Sequence, residues 1–264
     1  MEPRALRSFA SKGVLVHEPL HVLDFGEGES PAVFTGSECG LPHGFSFIRS
    51  ALSREAQLRL TRRCINDWAF TSGWNNLVSN DASRRVTHDD LARLTWATLG
   101  YHYDWTNRTY VKGWKGEFPA DLAAVCVELA AHVGVSQYAP TAAIVNYYAA
   151  GKRAPMLAHR DDAELTMRKP IVSISVGCSA VFCIETKPHD RTSHVVAVKV
   201  RSGDVCVMDG ESRPALHAVV RVDAESPFAS TSSSNDDVQS YLATHRINVN
   251  TRQVEGDDAA EQWS

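Results

Sequence analysis

The stretch Arg246-Ile247-Asn248-Val249-Asn250-Thr251-Arg252 alternates polar and apolar residues. In a β-strand successive side chains point to opposite faces, so Arg246, Asn248, Asn250 and Arg252 share one face. Two arginines and two amides turned inward are costly without a buried anionic partner. A small dicarboxylate would satisfy them, because guanidinium forks pair with carboxylates in bidentate fashion. A solvent-exposed polar strand face fits the spacing equally well.

Upstream of this strand lie more short runs rich in Val and Ile: Ala143–Tyr148, Ile171–Gly177, Ala180–Ile184, Val195–Val200, Val205–Met208 and Ala215–Val222. Turn residues separate most of them, which reads as many short strands. Before Gly134 two segments have a helical period. Ser53 can cap a helix reaching Trp68, with Leu58, Ile65 and Trp68 on one face. A second helix is predicted from Pro119 and Asp121, with Leu122, Val125, Leu129 and Val133 as its apolar stripe and Gly134 as its stop. Residues 71–115 read as loops and short ribbon, Asp223–Gln239 as a mobile surface loop, and Met1–Lys12 as an unstructured leader. Early helices before a run of strands predict an α+β chain, a β-sandwich or barrel backed by helices.

A chain of 264 residues with 44% apolar and 22% charged content is an ordinary globular composition. No apolar run reaches the length of a membrane span. The six cysteines form no CxxC pair, so reduced thiols in an intracellular protein are expected. The net charge of −4 is unevenly spread: residues 1–40 hold 3 basic and 6 acidic groups, and 253–264 hold 4 acidic groups and no basic one. That leaves 24 basic against 21 acidic groups between 41 and 252. Basic pairs at Arg62–Arg63, Arg84–Arg85, Lys152–Arg153 and Arg168–Lys169 are compatible with phosphate contacts, and scattered solvated charge explains each pair as well.

His159-Arg160-Asp161 has the spacing to put two ligand atoms on one side of an extended segment. A third ligand from a distant strand would complete a two-His, one-carboxylate face with open positions, and His217 in Leu216-His217-Ala218 is the candidate. Taken alone the signal is weak, since His88-Asp89-Asp90 also fits HxD and a lone core histidine is commoner than a ligand.

The ordered series Asn146-x-Tyr148, His159-x-Asp161, Ser173-Ile174-Ser175-Val176-Gly177, Ser202-Gly203-Asp204-Val205, Glu211-Ser212-Arg213, His217 and Arg246-x-Asn248-x3-Arg252-Gln253 resembles the AlkB dioxygenases. The stretch Gly100-Tyr101-His102-Tyr103-Asp104-Trp105 and Arg252-Gln253-Val254 are similar to the eukaryotic AlkB homologue 1 branch. The resemblance covers residues 94–254.

The resemblance implies a double-stranded β-helix (jelly-roll, cupin-like) core with supporting N-terminal helices and a nucleotide-recognition lid. It divides the chain into an N-terminal extension (1–40), one dioxygenase domain (41–254, lid about 71–115, core about 140–254) and an acidic tail (255–264). It implies iron(II) ligands His159, Asp161 and His217, and 2-oxoglutarate ligands Asn146, Tyr148, Arg246, Asn248 and Arg252. Trp96, Tyr101, Tyr103, Arg160 and Glu164 would meet a flipped base, although core filling is the commoner role of such aromatics. The implied reaction consumes dioxygen, hydroxylates an N-methyl group on a base in tRNA or DNA, and releases formaldehyde and succinate. The implied protein is a monomer off the membrane, in nucleus or cytoplasm, with the mitochondrion also open.

Two departures bear on the substrate. Asp162-Ala163-Glu164 follows the HxD where some members place a second acid at the position of Ala163, and Glu185-Thr186-Lys187-Pro188-His189 replaces an expected Gly-Gly turn. Rival readings are an oxygenase of a protein side chain or small molecule, and a nucleic-acid-binding module with abasic-site lyase activity through Lys152 or Lys169.

Overall fold

The computed structural model describes residues 3–71, 74–78, 87–151, 153–229, 236–258 and 263. In chain order the elements are α1 (Pro3–Ala10), β1 (Val22–Leu23), β2 (Ala32–Thr35), β3 (Phe45–Arg49), α2 (Arg54–Arg62), α3 (Ala69–Thr71), β4 (Trp96–Asp104), β5 (Thr109–Lys115) and α4 (Ala120–His132). They continue with β6 (Ala142–Ala149), β7 (Arg153–His159), β8 (Ile171–Gly177), β9 (Ala180–Glu185), β10 (Val195–Val200), β11 (Val205–Met208), β12 (His217–Val222), α5 (Asp237–Thr244) and β13 (His245–Arg252).

The strands form two sheets, β2-β3-β11-β8-β13-β6-β4-β5 and β1-β10-β9-β12-β7. This corrects the expected jelly-roll, cupin-like β-helix: neither sheet closes into a barrel or curls strongly, and the fold is α+β with two open sheets. Closure is one way to bury strand faces and protect edges. Here layering buries the faces instead. Phe45, Phe47, Ile171 and Met208 of the large sheet pack on Ile184, Val198 and Val200 of the small one. The other face of the large sheet, including Val145, Tyr147, Ile174, Ile247 and Val249, packs on Ile65, Trp68, Leu122, Cys126 and Leu242 from the helices. Ala5 and Phe9 of α1 cover the outer face of the small sheet through Val181, Ala197, Ala218 and Val220. The segment Met1–Lys12, expected to be an unstructured leader, is therefore mostly a docked helix. Burial of Phe9 and Ala5 holds it there, and Ser8 Oγ accepts a hydrogen bond from Ala158 N at 2.9 Å.

The helices start where the caps predict. Ser53 accepts a hydrogen bond from Ala56 N, and α2 runs on through a π-helical stretch from Arg63 to Trp68. The buried row of α4 is Leu122, Cys126 and Ala130, with Val125 40% exposed. The expected stripe is thus rotated, because the i, i+4, i+8 row faces the sheet. β7 was not read as a separate strand, and Pro155 within it is tolerated because β7 is an edge strand whose pairing with β12 is irregular. Of the Asp223–Gln239 loop, Phe228 is buried under the Arg54 guanidinium, while 230–235 and the Arg84–Arg85 pair lie outside the described residues. No helix among the described residues is long and apolar enough to cross a membrane.

Two glycines allow close backbone approaches, Gly177 at the end of β8 and Gly100 within β4 where its pairing with β6 stops. Gly177 has φ +88°, and a Cβ there would sit 2.1 Å from the carbonyl oxygen of His245. Gly100 has φ +66°, and its Cβ would sit 2.0 Å from the oxygen of Thr141. Gly177→Ala is expected to destabilise the fold by about 2 kcal/mol or more, since both the dihedral and the contact are unfavourable. The midpoint of urea unfolding measures it, and an unchanged midpoint would show that the β8–β13 junction is looser than described.

Candidate functional site

The centre of the large sheet is the three-strand ladder β8-β13-β6. Arg246 lies opposite Tyr148 and Gly177, Asn248 opposite Asn146 and Ser175, and Asn250 opposite Ile144 and Ser173. Because the strands alternate, the apolar set Ile247 and Val249 meets the helices, and the polar set faces the small sheet. That polar face is buried: Asn146, Tyr148, Ser175, Arg246, Asn248 and Arg252 are all under a tenth exposed. The solvent-exposed alternative for Arg246–Arg252 is thereby removed.

Facing it, the small sheet brings the HxD to its partner. β12 pairs antiparallel with β7, and His217 stands directly across from His159. The two imidazole centroids are 4.3 Å apart. Asp161, two residues past His159, turns back between them, with Oδ1 3.7 Å from His159 Nε2 and Oδ2 3.9 Å from His217 Nε2. Among the described residues these three form the one cluster whose ligand atoms could share a metal ion.

The histidines are prepared alike. His159 Nδ1 lies 2.9 Å from the Leu157 carbonyl and His217 Nδ1 3.1 Å from the Ala215 carbonyl. A carbonyl only accepts, so each Nδ1 carries a proton and donates it, which turns each Nε2 toward the shared centre. Burial, helped by the neighbouring His159, pushes His217 down to about 4, so its imidazole is neutral near pH 7. Burial alone would raise Asp161, but Arg252, His217 and His159 outweigh it and hold the carboxyl below the usual range. Arg252 Nη2 is 3.0 Å from Asp161 Oδ2. Two imidazoles and one carboxylate on one face, with other positions open, suit iron(II).

The arginines of β13 differ in one respect. Arg252 is neutralised by Asp161 and by Glu164, 3.4 Å away. Arg246 is 2% exposed, donates from Nη2 to Ser175 Oγ at 3.0 Å, and has no carboxylate partner among the described residues. Its Nε and Nη1, and the Tyr148 hydroxyl whose ring it covers, lack hydrogen-bond partners there. An unpaired buried guanidinium is expensive, and a carboxylate is the group that fits it. The residues present therefore fit a dicarboxylate with one end at Arg246.

A cavity of about 300 Å³ opens over His159 and Asp161, lined among others by Tyr103, Trp105, Arg108, Asn146, Asp162 and Leu157. Of the residues expected to meet a base, Tyr103 lines it, and Arg160 does so while paired to Glu185 at 2.9 Å. Trp96 packs behind Trp105 with centroids 5.2 Å apart. The β4–β5 pairing shifts register between Tyr101 and Tyr103, and Tyr101 does not line the cavity. Its hydroxyl meets Glu255 at 3.1 Å, and its ring packs on Trp263 and Lys115. Glu164 lines the cavity wall, but its side chain is sealed against Arg213 at 2.9 Å. Trp105, 46% exposed at the mouth, and Arg108 were missed; the first lay inside the quoted Gly100–Trp105 motif, and the second needed the β4–β5 hairpin to bring it back. Lys169 is bound to Gln137 O and Asp257, and Lys152 lies outside the described residues.

Similarity to known proteins agrees with this geometry. The mouse protein Nucleic acid dioxygenase ALKBH1 is 34% identical over 200 residues, 67% of this chain and 50% of that protein. The Arabidopsis thaliana protein DNA N(6)-methyladenine demethylase ALKBH1A is 34% identical over 177 residues, 62% of this chain and 50% of that one. The chain thus spans about half the length of these curated relatives, and the resemblance to the AlkB dioxygenases is borne out. The solved structure of OsALKBH1 superposes with a TM-score of 0.58 over 80% of this chain and 96% of that chain at 20% identity, a likeness of fold. The family model described as 2OG-Fe(II) oxygenase superfamily matches residues 44–252, a span that takes in all three clustered ligands and the whole of β13. A chain matched over that span, with the ligand cluster at one end of a buried polar strand face and an unpaired arginine at the other, belongs to the 2OG-Fe(II) oxygenase superfamily.

Proposed function

We propose that this chain is an iron(II)- and 2-oxoglutarate-dependent dioxygenase that removes N-methyl groups from bases in nucleic acid, tRNA or DNA. The observation that carries the reading is the pairing of His217 with His159 across β12 and β7, with Asp161 between them and Arg246 on the facing strand without a carboxylate partner among the described residues. His159, Asp161 and His217 would hold the iron. Arg246 and Tyr148 would take the distal carboxylate of 2-oxoglutarate, with Asn146 and Asn248 along its length. Asn248 donates to Ser173 Oγ at 2.9 Å and the Ile174 carbonyl at 3.1 Å, which fixes its amide in place. Arg252 reaches 2-oxoglutarate only from its place beside Asp161, so it serves chiefly to keep that carboxylate ionised and aimed.

Iron with 2-oxoglutarate and dioxygen supplies an oxidant strong enough for a C–H bond, at the cost of decarboxylating the co-substrate to succinate. The chain's own residues turn Nε2 of both histidines to one centre, hold Asp161 anionic and present the substrate. Tyr103 and Trp105 offer flat faces to an extruded base, and Arg108 at the same mouth offers a cation to the backbone phosphate. Hydroxylation of an N-methyl group makes a hemiaminal that collapses to formaldehyde and the free base. Nucleic acid as the substrate class is supported by the names of the mouse and Arabidopsis relatives, a nucleic acid dioxygenase and a DNA N(6)-methyladenine demethylase.

Three outcomes test this. Anaerobic reconstitution with iron(II) should give succinate from 2-oxoglutarate on admission of oxygen, stimulated by methylated tRNA or DNA and lost in His159→Ala; no iron-dependent succinate would sink the enzyme. Trp105→Ala should lower base demethylation about tenfold or more while sparing uncoupled succinate formation, on the scale of one lost stacking contact. Arg246→Met should make the ligand-free protein more stable by about 1–2 kcal/mol, because it removes a buried unpaired charge. The same variant should lose the rise in melting temperature that saturating 2-oxoglutarate confers on the wild type. A ligand-free Arg246→Met protein that is less stable, yet still stabilised by 2-oxoglutarate, would show that the arginine is satisfied within the chain.

A further inference from the structure

Glu211-Ser212-Arg213 stood among the motifs without a role, and Glu164 was expected to face the substrate. The structure seals both charged side chains from solvent, Arg213 at 1% and Glu164 at 0% exposure. Arg213 spends its fork on three acceptors: Nε donates to Lys169 O at 2.8 Å, Nη1 to Asp161 O at 2.6 Å and Nη2 to Glu164 Oε2 at 2.9 Å. The other oxygen of Glu164 faces Arg252 Nη1 at 3.4 Å, and Arg252 Nη2 returns to Asp161 Oδ2 at 3.0 Å. The circuit closes on the residue where it began, gripping Asp161 by its backbone carbonyl and by its carboxylate.

We infer that Glu164 and Arg213 are positioning residues for the metal-binding carboxylate of Asp161, and not substrate contacts. Two guanidinium groups and two carboxylates make the cluster neutral. Glu164 divides the pull of the arginines, leaving Asp161 Oδ1 leaning to His159 Nε2 while Oδ2 stays with Arg252. Without its charge, two guanidiniums would bear on one carboxylate and place unbalanced positive charge beside the cation site. Arg213 acts through geometry: a lysine keeps the charge against Glu164 but cannot span three fixed acceptors. The inference rests on the metal-site reading above.

The test is cobalt(II) affinity of the full chain, followed by the visible absorption of the bound ion, without 2-oxoglutarate or substrate. Glu164→Gln and Arg213→Lys, each checked for wild-type circular dichroism, are expected to bind cobalt(II) 10–100-fold more weakly, the usual scale for residues that orient metal ligands. Wild-type affinity in folded Arg213→Lys overturns the inference whatever Glu164→Gln does, and that variant decides alone if Glu164→Gln does not fold. Cobalt(II) binding that is absent from the wild type, or unaffected in His159→Ala, overturns the metal-site reading itself.

Discussion

The ladder β8-β13-β6 is the constraint on which the other parts depend. One strand, β13, must satisfy a hydrophobic layer on one side and carry two arginines on the other. Its apolar residues Ile247 and Val249 are fully buried against the helices, and each such side chain contributes about 1.5–3 kcal/mol. That burial fixes the register, since a slip of one residue would turn Arg246 and Arg252 into the helical layer. The cost of the buried charge on the inner face is thus met by packing on the outer one. The functional face is held by residues that take no part in it.

The interior electrostatics divide along the same strand. At the Arg252 end the charges are matched within the chain, so Asp161 stays ionised though buried. At the Arg246 end they are not, and burial lowers the affinity of that guanidinium for its proton. A balanced end and an unbalanced end on one face make a direction. The unbalanced end is where an anion gains most by arriving, because binding removes a penalty already built into the fold.

The strands from Ile171 to Arg252 and both long helices were legible because their signals are local: alternation, Val and Ile content, a serine cap and a stopping glycine. The two HxD sequences were equal by spacing. Around His88 the chain forms a 3-10 turn with Asp90 accepting from Thr87 N, and around His159 it ends an edge strand beside β12. Tyr101 and Tyr103 also looked equivalent at i, i+2. Packing separates them: one hydroxyl meets Glu255 and the other ring lines the cavity, beside a register shift on β5 in the stretch that holds Gly113. Closure of the sheets was misjudged for a related reason: strand count and length are local, whereas whether edges meet depends on what covers the faces.

By itself the sequence determined which residues could carry the chemistry: an HxD on an extended segment, a histidine in a later strand, and four polar side chains on one strand face. Those facts follow from a two-residue period, which needs no knowledge of partners. Only the tertiary structure decided that His217 stands across from His159, that Arg252 and not Arg246 is neutralised, and that Glu164 is sealed against Arg213. The contacts involved join residues 49 to 91 positions apart in the chain, set by strand order and sheet packing. Charge and period can be read along a sequence, but pairing is a property of the assembled layers, where the energy of one group depends on which other group is buried beside it.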